Sequence, residues 1–285
     1  MLDDPARPPI QRWPSEPHLE VSLPEARRVT LRDGKTDATI LPVTSPQQVP
    51  PPLVEFLCGQ LNKEIEAGDT YPMVDPMTVT AFGDYWFQTF GAIMLLGAHD
   101  DLATAADNKT GSDDADYWSS VCLGSYYVKS NYPGRSSHVC NAGFLVTDNA
   151  RNRGVGRLMG ESYVDWAPRL GFSYSVFNLV YESNVASMRI WDQLGFQPIG
   201  RVKGCGRLKS FPGKLVDAII YGRELTIGGA SESTVRTAVT VALPSDGSQE
   251  DPKPVTHELH WRDGYIRATT PAESTKTIRC RSIDH

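Results

Sequence analysis

The chain has 285 residues, of which 40% are hydrophobic and 22% are charged, which is enough apolar material for one substantial core with appendages. Its 28 Lys and Arg against 34 Asp and Glu give a net charge of −6, which argues against a protein that binds nucleic acid through a basic face. The longest apolar run, Phe90–Leu96, is too short to span a bilayer, and the acidic N-terminus lacks the features of a secretory signal. We therefore expect a cytoplasmic protein with no membrane or nucleic-acid partner.

The cysteines are odd in number and form no Cys-x-x-Cys pair; they are Cys58, Cys122, Cys140, Cys205 and Cys280. This spacing is typical neither of a disulfide scaffold nor of a zinc site. We therefore expect reduced, mostly buried thiols and no bound metal.

The N-terminal part of the chain predicts an extension, a hairpin and a helix. Residues 1–25 are rich in proline and charge, which favours poor order, and Asp33-Gly34 lies between two β-rich runs, which is typical of a hairpin turn. After a proline-rich linker at 44–52, apolar residues spaced by three and four predict an amphipathic helix that ends at Gly68. The inward face of this helix contains Leu53, Phe56, Leu57, Leu61 and Ile65.

Two buried elements, a polar loop and a further strand are expected next. A second helix covers Thr78–Phe87, and the apolar run Phe90–Gly97 predicts a buried strand. Residues 99–116 are polar and acidic and predict a surface loop. Another strand is expected over Trp118–Val128, followed by a Pro-Gly turn at 133–134.

The second half of the chain alternates between strand and helix patterns. The expected elements are strands at Val139–Val146, Phe172–Val180, Phe196–Val202 and Leu215–Tyr221, and helices at 154–170 and Asn184–Leu194. This alternation predicts a mixed α/β layer architecture. We divide the chain into an N-terminal extension at 1–45, a main domain at 46–226 and a C-terminal tail at 227–285. In the tail, an Arg-Asp-Gly turn at 262–264 indicates another hairpin or a partly disordered segment.

A glycine-containing turn joins a predicted strand to a predicted helix, with the sequence Arg151-Asn152-Arg153-Gly154-Val155-Gly156. Unpaired N–H groups at a helix N-terminus attract anions, and glycine lets the backbone approach a phosphate closely. Arg151, Arg153 and Arg157 would add positive charge. From these residues alone, the turn is either an anion site or an ordinary tight turn with solvated arginines. A Rossmann dinucleotide site is disfavoured because a third glycine is missing.

The sequence downstream makes this turn part of a larger pattern. The turn fits Arg/Gln-x-x-Gly-x-Gly/Ala, and the later helix begins with Asn184-x-x-Ser187 and ends in Leu194-Gly195-Phe196. In these motifs the chain resembles the GNAT (GCN5-related N-acetyltransferase) superfamily. The resemblance implies an α/β fold with a mixed, mostly antiparallel sheet whose central strands splay apart between flanking helices. It also implies acetyl-CoA as the co-substrate and no metal.

The resemblance also implies a position for each part of acetyl-CoA. The pantetheine would lie along Phe144–Val146, the backbone amides of 151–157 would hold the pyrophosphate, and an N–H near Leu145 or Val146 would stabilise the oxyanion. The implied cofactor-binding residues are Leu145, Val146, Arg151, Arg153, Gly154, Val155, Gly156, Arg157, Asn184 and Trp191.

A narrower resemblance links residues 28–225 to the fungal proline-analogue acetyltransferases, which acetylate azetidine-2-carboxylate and related cyclic imino acids. The matching stretches are Gly68–Pro72, Cys140–Val146 and Phe177–Val180 followed by Asn184. The resemblance implies that Asn141 and Asn178 are catalytic residues that hold the acceptor and that Asn184 binds the cofactor. Two neutral amides suit a zwitterion because they donate to a carboxylate and accept from an amine. The alternatives are backbone-paired strand asparagines and, for Asn184, a helix N-cap.

The turn after the first helix supplies further candidates for the acceptor site. Thr70 and Tyr71 are expected to wall the acceptor pocket, with Tyr71 either reaching the acceptor's carboxylate or packing on the second helix. Asn141 replaces the strand glutamate of many superfamily members, and an amide cannot act as a base. Proton removal would therefore pass through water or through an acid near this turn. The acids there, otherwise interpreted as a solvated helix end, are Glu64, Glu66 and Asp69.

Trp191 occupies the position where the superfamily often places a tyrosine that protonates the leaving thiolate. An indole N–H donates a hydrogen bond but is not an acid near neutral pH, and Tyr181 and Ser187 are weak substitutes. Cys140, next to Asn141, suggests a covalent acetyl-enzyme. Strand alternation, however, points Cys140 to the opposite face and favours a core position.

Three functions fit the sequence. The first is direct transfer from acetyl-CoA to the amine of a small molecule, such as a cyclic imino acid, by a homodimer that detoxifies proline analogues. The second is a protein acetyltransferase that acts on lysine, for example in histones. The third is a non-catalytic acyl-CoA-binding module. A closed acceptor pocket favours the first function, an open groove favours the second, and binding without turnover favours the third.

Overall fold

A computed structural model describes residues 23–107 and 114–227, and the backbone of two further strands at 258–262 and 265–269. The helices are α1 (Pro51–Ala67), α2 (Val79–Phe87), α3 (Leu102–Asp107), α4 (Asp114–Val121), α5 (Val155–Arg169) and α6 (Val185–Gln193). The strands are β1 (Arg27–Thr30), β2 (Asp37–Val43), β3 (Gly91–Leu96), β4 (Cys122–Ser130), β5 (Val139–Val146), β6 (Tyr174–Tyr181), β7 (Gln197–Gly206), β8 (Val216–Glu224), β9 (Glu258–Arg262) and β10 (Tyr265–Thr269). The expectation for residues 1–22 lies outside the described residues.

Eight strands form one sheet in the order β1-β2-β3-β4-β5-β6-β8-β7. All neighbours are antiparallel except β5 and β6, which run parallel. These two strands pair only through Val139 with Tyr174 and Cys140 with Ser175, so they separate along the rest of their length. The expected fold class, a mixed and mostly antiparallel sheet with splayed central strands, is confirmed.

Strand alternation divides the core into two layers, one on each face of the sheet. On β3, Ala92 and Met94 join the buried face of α5, whereas Ile93 and Leu95 join the buried faces of α1 and α2. Successive side chains of a strand point to opposite faces, so a continuous apolar strand can supply both layers. Helices therefore cover both faces of the sheet, as a buried central strand requires.

Most of the predicted elements are present, with boundaries set by the expected residues. The hairpin of β1 and β2 is antiparallel, and β2 also pairs with β3, so the hairpin is continuous with the sheet. α1 ends at Gly68, whose φ of 70° is the left-handed conformation that favours glycine. α2 begins after Thr78, whose hydroxyl oxygen accepts a hydrogen bond from the Ala81 N–H.

Two predictions between residues 99 and 128 are wrong. The expected surface loop contains α3 and the start of α4, and the expected strand begins at Cys122, because Trp118–Val121 belongs to α4. Trp118 is 2% exposed and packs in the same cluster as α1. Asp114 and Asp116 lie in the first turn of α4, where negative charge stabilises a helix. The tertiary packing of one tryptophan therefore favours a helix in a segment whose polar composition predicts a loop.

The C-terminal hairpin is present as backbone. β9 and β10 pair antiparallel, with Glu258 opposite Thr269 and Arg262 opposite Tyr265, and they belong to a separate unit at 232–285. The remainder of the tail lies outside the described residues, and the predicted domain boundaries stay a prediction. Within the described segments, no helix combines the length and the apolar character that crossing a membrane requires.

Tyr163 of α5 joins β5 and β6 at the last pair before the strands separate. Its hydroxyl lies 2.6 Å from the Ser175 Oγ and 3.1 Å from the Cys140 Sγ, and all three side chains are fully buried. Burial raises the pKa of the Cys140 thiol to about 12, so this thiol stays neutral at physiological pH. The expected core position of Cys140 is the one observed.

We expect the substitution Tyr163→Phe to lower the free energy of unfolding by about 1–3 kcal/mol, because buried polar groups on both strands lose a partner. Urea denaturation followed by circular dichroism measures the change. Tyr132→Phe is the matched control, since the half-buried Tyr132 makes no side-chain hydrogen bond to the described residues, and it should change stability by less than about 0.5 kcal/mol. Equal losses in the two variants would contradict this role for Tyr163.

Candidate active site

The separation of β5 and β6 opens a cleft of about 1280 Å³. Its lining includes residues 141–146 of β5, residues 177–181 of β6, the turn into α5, the segment Thr70–Met73 after α1, and side chains of α6 and of the β1–β2 hairpin. A cleft of this size and of mixed polar and apolar lining is a default candidate for a binding site.

Aromatic side chains fill the gap between the separated strands. The ring centroid of Trp191 lies 4.9 Å from that of Phe144 on β5 and 4.5 Å from that of Phe177 on β6. β6 also contains a bulge between Phe177 and Val180. Because of this bulge, the side chains of Phe177 and Val180 both lie in the same core cluster. Trp191 is 6% exposed and lines the cleft, so this position provides an apolar wall and not a tyrosine hydroxyl.

The turn before α5 presents bare backbone to the cleft. Gly154 is the N-cap of α5 with a φ of 85°, and no side chain caps this helix end. The first N–H groups of a helix have no intrahelical partners, and Gly154, Val155 and Gly156 all line the cleft. This is the arrangement in which helix N-termini hold phosphate groups.

The three predicted arginines have different surroundings. Arg151 lines the cleft and forms an ion pair with Glu64 of α1, and Arg157 lines the cleft and forms an ion pair with Glu161 at 2.9 Å. Arg153 is not among the residues that line the cleft. Two of the three arginines are therefore near the bare amides, and both already hold a carboxylate that an anion would compete with.

Sequence reasoning missed Arg32, which lines the cleft from the β1–β2 turn. Its N–H donates to the Arg153 carbonyl at 3.2 Å, and a Cβ added to Gly154 would lie 3.3 Å from the Arg32 Cβ. Asp33 fixes the turn, since hydrogen bonds from the Thr36 hydroxyl, and then from backbone N–H groups, lower the pKa of its carboxyl to about 2. The Arg-Asp-Gly motif predicted a hairpin turn, whereas its approach to α5 is a tertiary contact with no local pattern.

Asn141 and Cys140 point to opposite faces of β5, as alternation predicts. Asn141 is 7% exposed and lines the cleft. Its Oδ1 accepts a hydrogen bond from the Ala142 N–H at 2.8 Å, and its Nδ2 makes no hydrogen bond to any described residue. An amide donor is therefore available at the surface of the cleft.

Asn178 lies in the bulge of β6, is exposed and lines the cleft. It forms a reciprocal amide pair with Asn131, in which the Asn131 Nδ2 donates at 3.1 Å and the Asn178 Nδ2 donates at 2.5 Å. Each amide keeps a second N–H and a second lone pair, so Asn178 can still bind a ligand. Asn131, 3% exposed and directly after β4, was not predicted, because a single turn asparagine carries no distinctive pattern.

Thr70, Tyr71 and Asn184 also line the cleft. The Tyr71 hydroxyl donates to the Phe144 carbonyl at 2.8 Å, so Tyr71 connects the segment after α1 to β5. The Thr70 hydroxyl donates to Glu64 at 2.9 Å. The Asn184 Oδ1 accepts from the Ser187 N–H at 3.1 Å and caps α6; its contact with a cofactor stays a prediction.

The loop between β7 and β8 is bonded to the segment after α1, and we name this connection the loop clasp: Gly68 and Asp69 with Lys209 and Ser210. The Gly68 carbonyl accepts from the Lys209 N–H at 3.2 Å, and the Asp69 carboxylate accepts from the Ser210 N–H at 2.9 Å and hydroxyl at 2.5 Å. The hydrogen bond from the Ser210 hydroxyl, and then that from its N–H, lower the pKa of Asp69. Of the acids near this turn, Glu64 lines the cleft, whereas Asp69 serves the clasp.

Comparisons with known proteins place these features in a family. A model of the acetyltransferase (GNAT) family matches residues 106–196. N-acetyltransferase aca1 of Schizosaccharomyces pombe is 44% identical over 169 residues, which are 59% of this chain and 78% of aca1. Protein SPT10 of Saccharomyces cerevisiae is 33% identical, and the match covers 70% of this chain but 35% of SPT10. The structure of a GCN5-related N-acetyltransferase from Kribbella flavida has 26% identity and a TM-score of 0.50, covering 65% of this chain and 98% of that one.

We expect Gly154→Ala to weaken the binding of an anionic nucleotide at the turn by about tenfold or more. A side chain is strained at this φ and crowds Arg32, so the helix N-terminus shifts. Isothermal titration with CoA measures the dissociation constant. Gly134→Ala is the control, since Gly134 has a φ of 57° in open space and is not among the residues lining the cleft. Unchanged CoA affinity in Gly154→Ala would rule out this site.

The thiols are expected to differ in reactivity. With a pKa of about 12, the Cys140 thiol is ionised to on the order of one part in ten thousand at pH 8, and Cys122 is raised to about 12 as well. Cys205 is exposed and lines the cleft. Brief iodoacetamide treatment of the native protein at pH 8, followed by peptide mass mapping, should modify Cys205 and leave Cys140 unmodified. Rapid alkylation of Cys140 would contradict its buried, neutral state and would support the hypothesis of a covalent acetyl-enzyme.

Proposed function

The chain belongs to the GNAT acetyltransferase family, and we propose that its acetyl-CoA-dependent N-acetyltransferase activity serves a small acceptor, namely a cyclic imino acid such as azetidine-2-carboxylate. The observation that carries the proposal is the cleft between β5 and β6, which has a bare helix N-terminus in its lining and neutral amides on both strands. The first feature suits the donor and the second suits the acceptor.

The turn before α5 supports the placement of the pyrophosphate of acetyl-CoA. The free N–H groups after Gly154 would bind its oxygens, and Arg32, Arg151 and Arg157 would add charge. The pantetheine would follow Leu145 and Val146 along β5, where no strand of the sheet pairs with that edge. An N–H of this edge would stabilise the oxyanion that forms at the thioester carbon.

The acceptor end of the cleft supports a small ligand. The loop clasp and the hydrogen bond from Tyr71 to Phe144 hold the segment after α1 against the loop before β8 and against β5. A wall held in this way supports a small acceptor over an extended peptide. Asn141 and Asn178 are assigned to the acceptor as catalytic residues, with Thr70 and Tyr71 as further binding residues. The Asn141 Nδ2 and the second N–H of Asn178 can donate to a carboxylate. The hydroxyl oxygens of Thr70 and Tyr71, whose protons are donated to Glu64 and to the Phe144 carbonyl, can accept from an amine.

The reaction we propose is direct attack of the acceptor nitrogen on the thioester carbon. A C–N bond forms, the C–S bond breaks, the nitrogen loses a proton and the thiolate of CoA gains one. We assign removal of the amine proton to Glu64, directly or through water, because among the acids of that turn its carboxylate lines the cleft. Tyr181, which also lines the cleft, is the candidate for donating a proton to the thiolate.

The biological setting is proposed from the resemblance to proline-analogue acetyltransferases. On the basis of this resemblance, we propose that the protein is a homodimer and that it detoxifies proline analogues. The described cysteines are free thiols, which is typical of a reducing compartment such as the cytoplasm.

Release of free thiol from acetyl-CoA tests the acceptor class. The panel contains azetidine-2-carboxylate, cis-4-hydroxyproline, spermidine, an aromatic amine and a histone tail peptide, and release is expected with the two imino acids. Asn141→Ala and Asn178→Ala should each lower kcat/KM for the imino acids by about 10- to 100-fold, because each removes a hydrogen bond to a charged group. Asn149→Ala is the matched control, since Asn149 is exposed and bonds to Ser119 rather than to the cleft.

Each other result of the thiol-release assay would change a specific part of the proposal. Release with the peptide or with spermidine would replace the acceptor class and leave the donor site in place. Binding of acetyl-CoA with no release for any amine would favour a non-catalytic acyl-CoA-binding module. Equal effects of the Asn141, Asn178 and Asn149 substitutions would remove both assignments to the acceptor.

A further inference from the structure

Lys129 of β4 is not among the residues that line the cleft, but the register of the sheet brings it next to residues that do. It is directly opposite Asn141 of β5, and Tyr127 is directly opposite Gly143. Residues directly opposite in an antiparallel pair project to the same face. Tyr127, Asn141 and Gly143 all line the cleft, so the Lys129 side chain extends from the same face as the proposed acceptor residues.

Two tyrosine rings hold the ammonium group of Lys129. Its Nζ lies 3.8 Å from the ring centroid of Tyr85 and 4.4 Å from that of Tyr127, and the hydroxyls of these tyrosines are 3.0 Å apart. The faces of aromatic rings attract cations, and Lys129 is half-buried. The charge of this lysine is therefore localised, whereas a solvent-exposed lysine would distribute its charge over many rotamers.

Gly143 makes room for this arrangement. A Cβ on Gly143 would overlap the ring of Tyr127, so only glycine lets that ring lie directly over β5. The rings of Tyr85 and Tyr127 meet at 5.3 Å and both line the cleft. The result is an aromatic wall with a localised cation behind it and the Asn141 amide beside it.

We infer that Lys129 is a specificity-determining residue of the acceptor site that favours amines bearing a carboxylate. The ammonium attracts the anion through space from behind the tyrosine rings, and the Asn141 Nδ2, which lies at the cleft, donates a hydrogen bond to the same carboxylate. An acceptor with positive charges alone, such as a polyamine, is repelled by the same lysine. This inference rests on the proposed function for the identity of the reaction, but its physical content is the recognition of a carboxylate.

Paired acceptors test the inference. Initial rates with saturating acetyl-CoA are measured for azetidine-2-carboxylate and for azetidine, which differ by the carboxylate alone, in the wild type, Lys129→Met and Lys129→Arg. Lys129→Met keeps an apolar stem over the rings and should raise KM for the imino acid by about 10- to 100-fold, while the rate with azetidine is unchanged or raised. Lys129→Arg keeps the charge and should restore part of the preference. Lys214→Met, which removes an exposed lysine, is the matched control for loss of charge.

A binding measurement separates this inference from the proposed function. Titration of azetidine-2-carboxylate and of azetidine into the CoA complex of each protein requires no turnover. Binding of the imino acid that is lost in Lys129→Met, without acetylation in any protein, would support Lys129 and reject the proposed acceptor. Equal KM values and equal binding in wild type and Lys129→Met would overturn the inference while the function stood. No binding of either compound to any protein would overturn both.

Discussion

The packing of Phe144, Phe177 and Trp191 between two parallel strands is the interaction on which the site depends. β5 and β6 share backbone hydrogen bonds at two residue pairs, where the Tyr163 hydroxyl secures them, and beyond that point aromatic contacts replace the ladder. Backbone N–H and C=O groups that are buried without a hydrogen-bond partner cost free energy, so such groups face solvent or a ligand instead. The edge of β5 beyond Cys140 is therefore exposed to a cleft, where a ligand can take the hydrogen bonds that a strand would otherwise take.

The charge distribution shows why net charge alone describes this protein poorly. The chain carries −6 overall, yet Arg32, Arg151 and Arg157 line the cleft, and the Lys129 ammonium lies over the rings of Tyr85 and Tyr127. Arg151 and Arg157 are held by carboxylates in the structure. Positive charge at the cleft is therefore positioned in advance of any ligand, and an anion that bound there would compete with Glu64 and Glu161 for it.

The boundary of the acceptor end is made by contacts between distant segments. The loop clasp joins residues 141 positions apart, and Tyr71 reaches Phe144 across 73 positions. Such contacts hold the segment after α1 in place at the cleft, because its partners lie in β5 and in the loop before β8. The neutral pair of Asn131 and Asn178 completes this end with hydrogen-bonding capacity and no net charge.

Local sequence pattern was sufficient to predict a feature wherever the residues that cause it lie within one short segment. Apolar spacing in α1, the stop at Gly68, the glycine turn before α5 and the alternation that buries Cys140 opposite Asn141 were all predictable. The helix α4, the bulge of β6 and the approach of Arg32 to Gly154 were not. The sequence by itself determined most of the elements and the glycine turn before α5, because helix periods, strand alternation and glycine conformations act within a few residues. Only the tertiary structure decided which side chains meet at the cleft, because register, bulges and loop contacts bring them there from strands and turns that are remote in the chain.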